Sequence, residues 1–415
     1  MTDHFSQAAP GRVSASPPGI RLRRSVGNGV RRGLERVTSG PIAPHQAAVV
    51  RIGLSLTWLA LLLREWVHRD VLYGPDSPWS WQMAREWTVT GGGFTALLWH
   101  DGRLWFELIY LAAMAAAVMM LVGWRTRTAS LLFLIGVLAI QNRNPFVGNG
   151  GDNVIHIMAI YLVFARCGQV WSLDARRRPA ADRDGGRDVV GIALWTLLTA
   201  VLAVITGLGE LGAGWTFLLW GFALAQLAWW AARRYAPGEP RAVMGAVGNV
   251  VHAGALLMVA IQVCLIYATS GWYKIQGLQW QDGTALYYVL HLDNVSPWPA
   301  LSHAVASSSL IVLLLTYGTV IVEVAFPFTL FNRKLRTAMV AIMAGMHMGI
   351  GILLGLPFFA LAMITTDAFF LPTAVLHWLV ARAKSALRWT QSLTQSWRPI
   401  PSIAEKPAEP VHRRG

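Results

Sequence analysis

Acidic residues and cysteines are scarce in this sequence, which has 21 Asp and Glu against 35 Lys and Arg and only two cysteines. Cys167 closes one apolar run and Cys264 lies inside another, so a disulfide framework is excluded and no zinc-type spacing exists. Only 13 % of the residues are charged while 54 % are hydrophobic, which excludes an ordinary soluble protein. Thiol redox chemistry and a metal cofactor are therefore not expected.

Long apolar runs dominate what remains, and several approach the roughly 20 residues that a helix needs to cross a bilayer. We predict an all-α, polytopic transmembrane bundle of about ten helices in the cell membrane, with its outer surface facing lipid. The ten predicted spans are 47–67, 104–123, 128–141, 154–165, 189–207, 215–230, 243–268, 305–330, 337–354 and 357–380. The third and fourth are short for full crossings, so tilt or partial re-entry is expected of at least one. Eight crossings, with the 189–230 hairpin lying differently, are the alternative.

The positive charge, +14 in total, is concentrated in the short segments that separate the apolar runs. These arginines indicate orientation and contacts to anionic lipid rather than nucleic acid, and their alternation from loop to loop predicts that both termini are cytoplasmic. Residues 1–40 are predicted to be a disordered basic cytoplasmic tail, because they are rich in Arg, Gly, Ser and Pro. Residues 45–380 are the predicted transmembrane domain, and residues 381–415 a basic cytoplasmic C-terminal tail.

Three unusually polar connections, 69–103, 141–153 and 270–294, all fall on the predicted extracytoplasmic side and suggest a common site facing outward. In the Gly-rich connection 141–153, Asp152 and Asn153 are candidates for a polar floor, with Asp152 as orienting group or proton acceptor. The alternative is a solvated hairpin built on Asx turns.

Ionisable residues inside predicted spans cost roughly 2.5 kcal/mol or more, so each is a functional candidate by default. Glu323 lies mid-span and His347 lies at the centre of the next span, from where it is expected to reach Glu323. The alternative is a buried polar pair that only joins two helices. Arg51 at the start of the first span is expected to snorkel to the membrane surface, and Asp367 is expected to be an interface residue.

Lys274 lies in residues 270–283, SGWYKIQGLQWQDG, and is expected to be surrounded by Trp272, Tyr273 and Trp280. One interpretation is a base whose ammonium form is destabilised by partial desolvation in an aromatic pocket. Lysine beside Trp and Tyr is also typical of an interfacial anchor. The residues alone leave both interpretations open.

Several segments in this order resemble one family over most of residues 45 to 375. They are RIGLSLTWLALLLREWVHRDVLYG at 51–74, Gly151, Asp152 and Asn153 with WSLD at 171–174, then Gly271, Lys274, Trp280 and Gly283, then Glu323, Pro327, His347, Asp367 and Phe369 to Leu371. Together these segments are similar to the HTTM family, the bacterial relatives of vitamin K-dependent gamma-carboxylase.

The resemblance implies that Lys274 deprotonates a reduced quinone of the vitamin K or menaquinol kind, whose oxygenation to an epoxide drives glutamate carboxylation. In this sequence Trp280 lies one residue further along than in the family segment, and no large extracytoplasmic domain is visible after residue 380. The chain is also similar to family members that assist the production of sporulation-delaying peptide toxins.

Two functions follow from the resemblance. In the first, a quinol-dependent enzyme uses Lys274, Asp152 and His347 in catalysis, and binds its quinol through Trp272, Tyr273, Trp280, Asn153 and Glu323. In the second, a non-enzymatic accessory protein supports the maturation or export of a secreted peptide. The expected partners are the lipid bilayer and, in the second case, that peptide.

Overall fold

A computed structural model describes residues 29, 31–177, 188–236 and 238–396, and within these ranges the fold is all-helical, with no β-strand. The all-α prediction is confirmed for these residues.

The chain divides into two compact units, residues 1–370 and 371–415. The helices of the first unit are α1 (Pro44–Glu65), α2 (Arg69–Tyr73), α3 (Trp81–Gly91), α4 (Arg103–Val122), α5 (Thr126–Gln141), α6 (Gly150–Phe164), α7 (Val189–Gly207), α8 (Ala213–Tyr235), α9 (Glu239–Gln276), α10 (Leu278–Gln281), α11 (Ala285–Leu290), α12 (Pro299–Ala306), α13 (Ser309–Thr329), α14 (Arg333–Leu353) and α15 (Pro357–Asp367). The second unit contains α16 (Thr373–Ser396).

Seven of these helices are long and apolar enough to cross a membrane: α1, α4, α7, α8, α9, α13 and α14. Three shorter apolar helices occupy the remaining predicted spans, namely α5, α6 and the stretch Pro357–Phe370. The shortness predicted for the third and fourth spans is confirmed, because α5 has 16 residues and α6 has 15. The chain therefore has the long apolar helices of a membrane protein.

The core of the first unit forms around α1, which packs against α4 and α15. Helices α5 and α6 close one side of this core, and α9, α13 and α14 close the other, with α15 in contact with both α6 and α14. By contrast, only 6 % of the apolar window of α7 and of α8 is buried, so this hairpin is peripheral. Buried polar side chains lie on several of these helices, among them His347 on α14 and Thr366 and Asp367 on α15.

Contrary to the prediction from the sequence, Arg51 does not snorkel to the membrane surface. Its side chain is fully buried and donates hydrogen bonds to the carbonyls of Met120, Leu121 and Trp171. The last carbonyls of α4 have no partner within the helix, and a cation at this end also complements the helix dipole. Gly123, with φ +69°, lets the chain turn beside the guanidinium.

Both predicted tails are partly helical. Residues 31–39 form a helix, in which Arg31 and Glu35 make an i,i+4 ion pair of 2.8 Å, and Asn249 donates a hydrogen bond of 2.9 Å to the Thr38 carbonyl. These local and tertiary bonds explain why this part of the predicted disordered tail is structured. Residues 1–28 lie outside the described residues. At the other end α16 runs to Ser396, and residues 397–415 lie outside the described part.

Two predicted span boundaries are wrong. The predicted span 357–380 is interrupted after Phe370, where Pro372 separates a short 3-10 turn from α16, because proline cannot continue a helix. The predicted span 243–268 is too short, since α9 continues through Lys274 and ends at Gly277, whose amide donates to the Lys274 carbonyl at 3.0 Å. Polar and aromatic residues alone did not break this helix.

Candidate functional site

The extension of α9 places three residues in line on one helix face. Gly271 and Lys274 follow Tyr267 by four and seven residues, which is the spacing of a single face of an α-helix. Tyr267 and Gly271 are buried in this face, which packs against α13. The sequence predicted that Lys274 lies in a polar connection outside the helix, so its position on the same helix face as Tyr267 was not predicted.

Gly271 permits a close approach of α9 and α13 at this level. A Cβ atom at position 271 would lie 2.7 Å from Val324 Cγ2 and 3.8 Å from Glu323 Cβ. The first distance is far below ordinary van der Waals contact, so any side chain at 271 would push α13 away. The missing side chain therefore brings Glu323 within reach of Lys274.

Gly271→Ala is expected to destabilise the protein by about 1–3 kcal/mol, because the added methyl group overpacks this contact. The measurement is thermal unfolding of the purified protein in detergent. Gly254→Ala is the matched control, since Gly254 lies in the same helix and a Cβ there meets nothing within 4 Å. That control should be neutral or slightly stabilising because alanine favours helix. Equal unfolding temperatures for the two variants would contradict the close approach.

Lys274 and Glu323 form an ion pair in which Nζ donates a hydrogen bond to Oε1. The Lys274 side chain is 20 % exposed and that of Glu323 is 6 % exposed, so the carboxylate lies deeper than the amine. A buried carboxylate is costly unless it is paired, which explains why Glu323 sits opposite a lysine. The pair therefore places the Lys274 amine beside a more deeply buried carboxylate.

The aromatic surround predicted for Lys274 is present on one side only. Nζ lies 5.1 Å from the centroid of the Trp280 ring, within cation–π range. Trp272 and Tyr273 are instead 63 % and 73 % exposed. Because successive residues of a helix point about 100° apart, residues one and two positions before Lys274 face away from its partner. The expectation that Trp272 and Tyr273 enclose Lys274 is therefore wrong.

A second group of polar side chains lies next to this pair and is more deeply buried. The Tyr267 hydroxyl is within 2.7 and 2.8 Å of the two Asp367 carboxylate oxygens and 3.0 Å from His347 Nε2. Tyr267, His347 and Asp367 are 1 %, 2 % and 0 % exposed. The charge of Lys274 acts on His347 and that of Glu323 on Tyr267, so the two groups are electrostatic neighbours.

The direct contact predicted between Glu323 and His347 is not observed. Glu323 bonds Lys274 on α9, and His347 bonds Tyr267, which lies about two turns earlier on the same helix. Asp367, which the sequence suggested to be an interface residue, is instead fully buried within the second group. We call the five residues Lys274, Glu323, Tyr267, His347 and Asp367 the buried polar cluster.

Two side-chain atoms of this cluster have no hydrogen-bond partner among the described residues. Glu323 Oε2 and His347 Nδ1 are both buried without a hydrogen-bond partner. If Tyr267 donates its single proton to Asp367, the hydrogen bond to His347 requires a proton on Nε2, which leaves Nδ1 with a free lone pair. Two buried acceptor atoms of the cluster therefore have no donor among the described residues.

Asp152 and Asn153 lie outside the cluster. Asp152 forms a capping box with Asn149, whose backbone N–H donates to Asp152 Oδ2 at 2.7 Å, and Asn153 is exposed. A carboxylate at this position satisfies the free N–H groups at the start of α6, so its role is local. Gly151 packs against Phe359, and the Phe359 ring lies 5.7 Å from His347, so a phenylalanine separates the start of α6 from the cluster.

Comparison with known proteins adds one distant relative. The chain is 28 % identical over 184 residues to YitO, an uncharacterized protein of Bacillus subtilis (strain 168), and the match covers 42 % of this chain. The chain spans little more than half of that relative, 57 % of its length. No protein-family model and no solved structure matches the chain.

Proposed function

We propose that this chain is an integral membrane enzyme that performs acid–base chemistry on a reduced lipid quinone, as the resemblance to the HTTM family suggests. The observation that supports this most strongly is the Lys274–Glu323 pair, in which Glu323 Oε2 is buried and unpartnered beside a partly exposed amine. An ionisable pair at membrane depth is expensive to maintain and therefore points to function.

The pair suits proton transfer because one proton can reside on either partner. When the proton of the pair lies on Glu323, the Lys274 amine is neutral and takes a proton from a ligand hydroxyl; Glu323 keeps its own proton, and the ammonium formed is stabilised by the ligand oxyanion beside it. A reduced quinone supplies two weakly acidic hydroxyl groups and a ring that oxygen can oxidise. Trp280 offers this ring a flat surface at the level of the amine.

The deeper members of the cluster would hold the second hydroxyl. His347 Nδ1 is an unused acceptor, and His347 is oriented by Tyr267, which is in turn fixed by Asp367. A histidine held by hydrogen bonds on its other nitrogen keeps one tautomer and one ring orientation. We assign His347 to binding or deprotonation of the ligand, and Tyr267 and Asp367 to positioning it.

The hydrocarbon part of such a ligand also has a suitable surface nearby. A groove of about 270 Å³, lined only by apolar atoms, lies between α9 and α13, with Cys264 and Ala268 on one wall and Pro327 on the other. Pro327 lies one helical turn from Glu323 on α13. The groove fits a lipid chain, and its position on the two helices of the ion pair supports a membrane-borne ligand.

The test is an assay of purified protein in detergent or nanodiscs with a reduced lipid quinone and oxygen. Oxygen uptake and epoxide formation are measured for the wild type and for Lys274→Ala. Lysine-dependent epoxide supports the proposal. A preparation that is folded, by its unfolding temperature, yet forms no epoxide from menaquinol or vitamin K quinol would count against it.

A second candidate function, an accessory protein that handles a secreted peptide, is favoured by exposed aromatic residues at the same end of α9. Trp272, Tyr273, Tyr288 and Trp298 are 56 % to 73 % exposed. Such side chains suit either a bilayer interface or an amphipathic peptide. Photo-crosslinking from position 298 to a co-expressed secreted peptide, set against crosslinking to lipid alone, distinguishes the two partners.

The orientation of the chain is part of this proposal. We propose ten crossings in the cell membrane with both termini cytoplasmic, which places Lys274 near the outer surface. The excess of Lys and Arg in alternate connections supports this arrangement. Cysteine labelling at exposed position 273, in a variant lacking the two native cysteines, tests it: modification by an impermeant reagent in intact cells is expected, and its absence until lysis would reverse the orientation.

A further inference from the structure

A cleft separate from the buried polar cluster lies where the segment between α2 and α3 meets the chain after α5. Arg143 and Trp81 both line it, together with Tyr73, His100 and Asp101. The connection that contains Arg143 is one of the three polar connections found in the sequence, and the proposed function above makes no use of this residue. The cleft is therefore a candidate for a second site.

Arg143 brings a buried positive charge to the cleft. The residue is only 2 % exposed, and its Nη1 and Nη2 donate to the carbonyls of Trp79 and Gly74 at 2.9 and 3.1 Å. Within residues 31–177, 188–236 and 238–396, no carboxylate lies within ion-pair distance of it. Burial lowers the pKa of Arg143, and the charge of Asp101 opposes this shift from a distance. The Arg143 guanidinium is therefore hydrogen-bonded to two carbonyls, but no carboxylate of the described residues forms an ion pair with it.

Trp81 contributes a second donor. Its Nε1 is buried and has no hydrogen-bond partner in the described part of the chain. A buried N–H without an acceptor is destabilising, so such a group indicates a missing partner. The guanidinium of Arg85 lies 5.0 Å from the Trp81 ring centroid, and its charge is paired with Glu210 at 3.3 Å.

We propose that this cleft binds a carboxylate group, held by Arg143 and by Trp81 Nε1–H. Two N–H donors, one of them on a buried guanidinium that has no carboxylate partner among the described residues, match an anionic oxygen better than a neutral one. The space is narrow, about 10 Å³, which is the room of one water, so one carboxylate oxygen enters and the rest of the ligand stays outside. The carboxylate comes either from a small free acid or from the terminus of a peptide.

Asp101 lines the same cleft, and its negative charge opposes the binding of an anion there. Substitution of Asp101 therefore changes the affinity for a carboxylate in a predictable direction. Asp101 has no ion-pair partner in the described residues, and its charge acts on Arg143. Removing this negative charge should strengthen the binding of a carboxylate. Removing the Trp81 donor should weaken it.

The experiment measures ligand-dependent unfolding temperatures of the full-length protein in detergent, which report apparent affinity. The probes are acetate, triglycine with a free C-terminus, and triglycine amide. Trp81→Phe keeps the ring over Arg85 and is expected to weaken carboxylate binding roughly tenfold. Asp101→Asn is expected to tighten it severalfold. Trp87→Phe, at an exposed tryptophan of α3 that does not line the cleft, is the matched control and should change nothing.

Each outcome decides the matter. Binding of acetate and triglycine alike, with the two expected shifts, assigns the site to free carboxylates, and binding of triglycine alone assigns it to a peptide terminus. Equal binding of the amide, no effect of Trp81→Phe, or weaker binding in Asp101→Asn would overturn the proposal. Arg143→Gln should also abolish binding, but it frees the carbonyls of Trp79 and Gly74, so the other two variants are decisive.

Discussion

Lys274→Ala is expected to reduce quinol-dependent product formation by a factor of roughly 10² to 10⁴, the usual contribution of a positioned acid or base. The physical reason is that alanine removes the amine that accepts the proton of the ligand and leaves Glu323 Oε1 without its partner. Both ends of the proton-exchanging pair are then lost. Initial rates of oxygen uptake and epoxide formation, at saturating quinol, measure the effect.

The control for this variant is Lys334→Ala, which removes another lysine from an exposed position at the start of α14. It should leave the rates unchanged. Lys274→Ala should still insert and fold, because the pair lies at the edge of the bundle and the Lys274 side chain is 20 % exposed. Full activity of a folded Lys274→Ala protein would remove Lys274 from the mechanism.

Lys274→Arg separates the two proposed functions. A guanidinium keeps the ion pair with Glu323 but cannot lose its proton in a protein, so a base at this position would be inactivated. An accessory protein that needs only a fixed positive charge would keep its effect on peptide maturation. Loss of activity in both the alanine and arginine variants supports acid–base chemistry, whereas loss in alanine alone supports the accessory function.

The helical architecture was predictable from the sequence because it depends on apolar length. The ten predicted spans correspond to seven long helices and three short apolar stretches, including the two predicted to be short. Boundaries were less predictable. A run of Gly, Trp, Tyr and Lys after residue 270 is polar enough to suggest a loop, yet α9 continues because nothing there breaks a helix before Gly277.

Membership of the buried cluster was only partly predictable, for a related reason. Glu323 and His347 were identified because an ionisable group inside an apolar run is unusual, and Lys274 because it lies in a polar, aromatic stretch between two apolar runs. Tyr267 was missed, since a tyrosine in such a run is ordinary, and Asp367 was judged to lie at an interface. Their pairing depends on which faces of α9, α14 and α15 meet, and a single sequence does not specify contacts between helices. The spacing from Tyr267 to Gly271 and Lys274 was the available signal.

Tyr267→Phe is expected to destabilise the protein by roughly 3 kcal/mol, although it removes only one oxygen atom. The Tyr267 hydroxyl bonds both Asp367 oxygens and His347 Nε2, and all three side chains are almost completely buried. Phenylalanine leaves the Asp367 carboxylate without this donor. Thermal and denaturant unfolding in detergent measure the loss, and Tyr273→Phe is the matched control, because Tyr273 lies in the same helix and is 73 % exposed.

Replacing Asp367 together with Tyr267 tests the cause of that loss. If the cost arises from a stranded carboxylate, Tyr267→Phe combined with Asp367→Leu should be more stable than Tyr267→Phe alone, since the two changes remove both partners of one hydrogen bond. Additive losses would instead indicate that the two side chains act separately in packing. Because His347 keeps its ring contact with Phe359 in either case, a rescued fold without catalytic activity would assign Tyr267 and Asp367 to positioning His347.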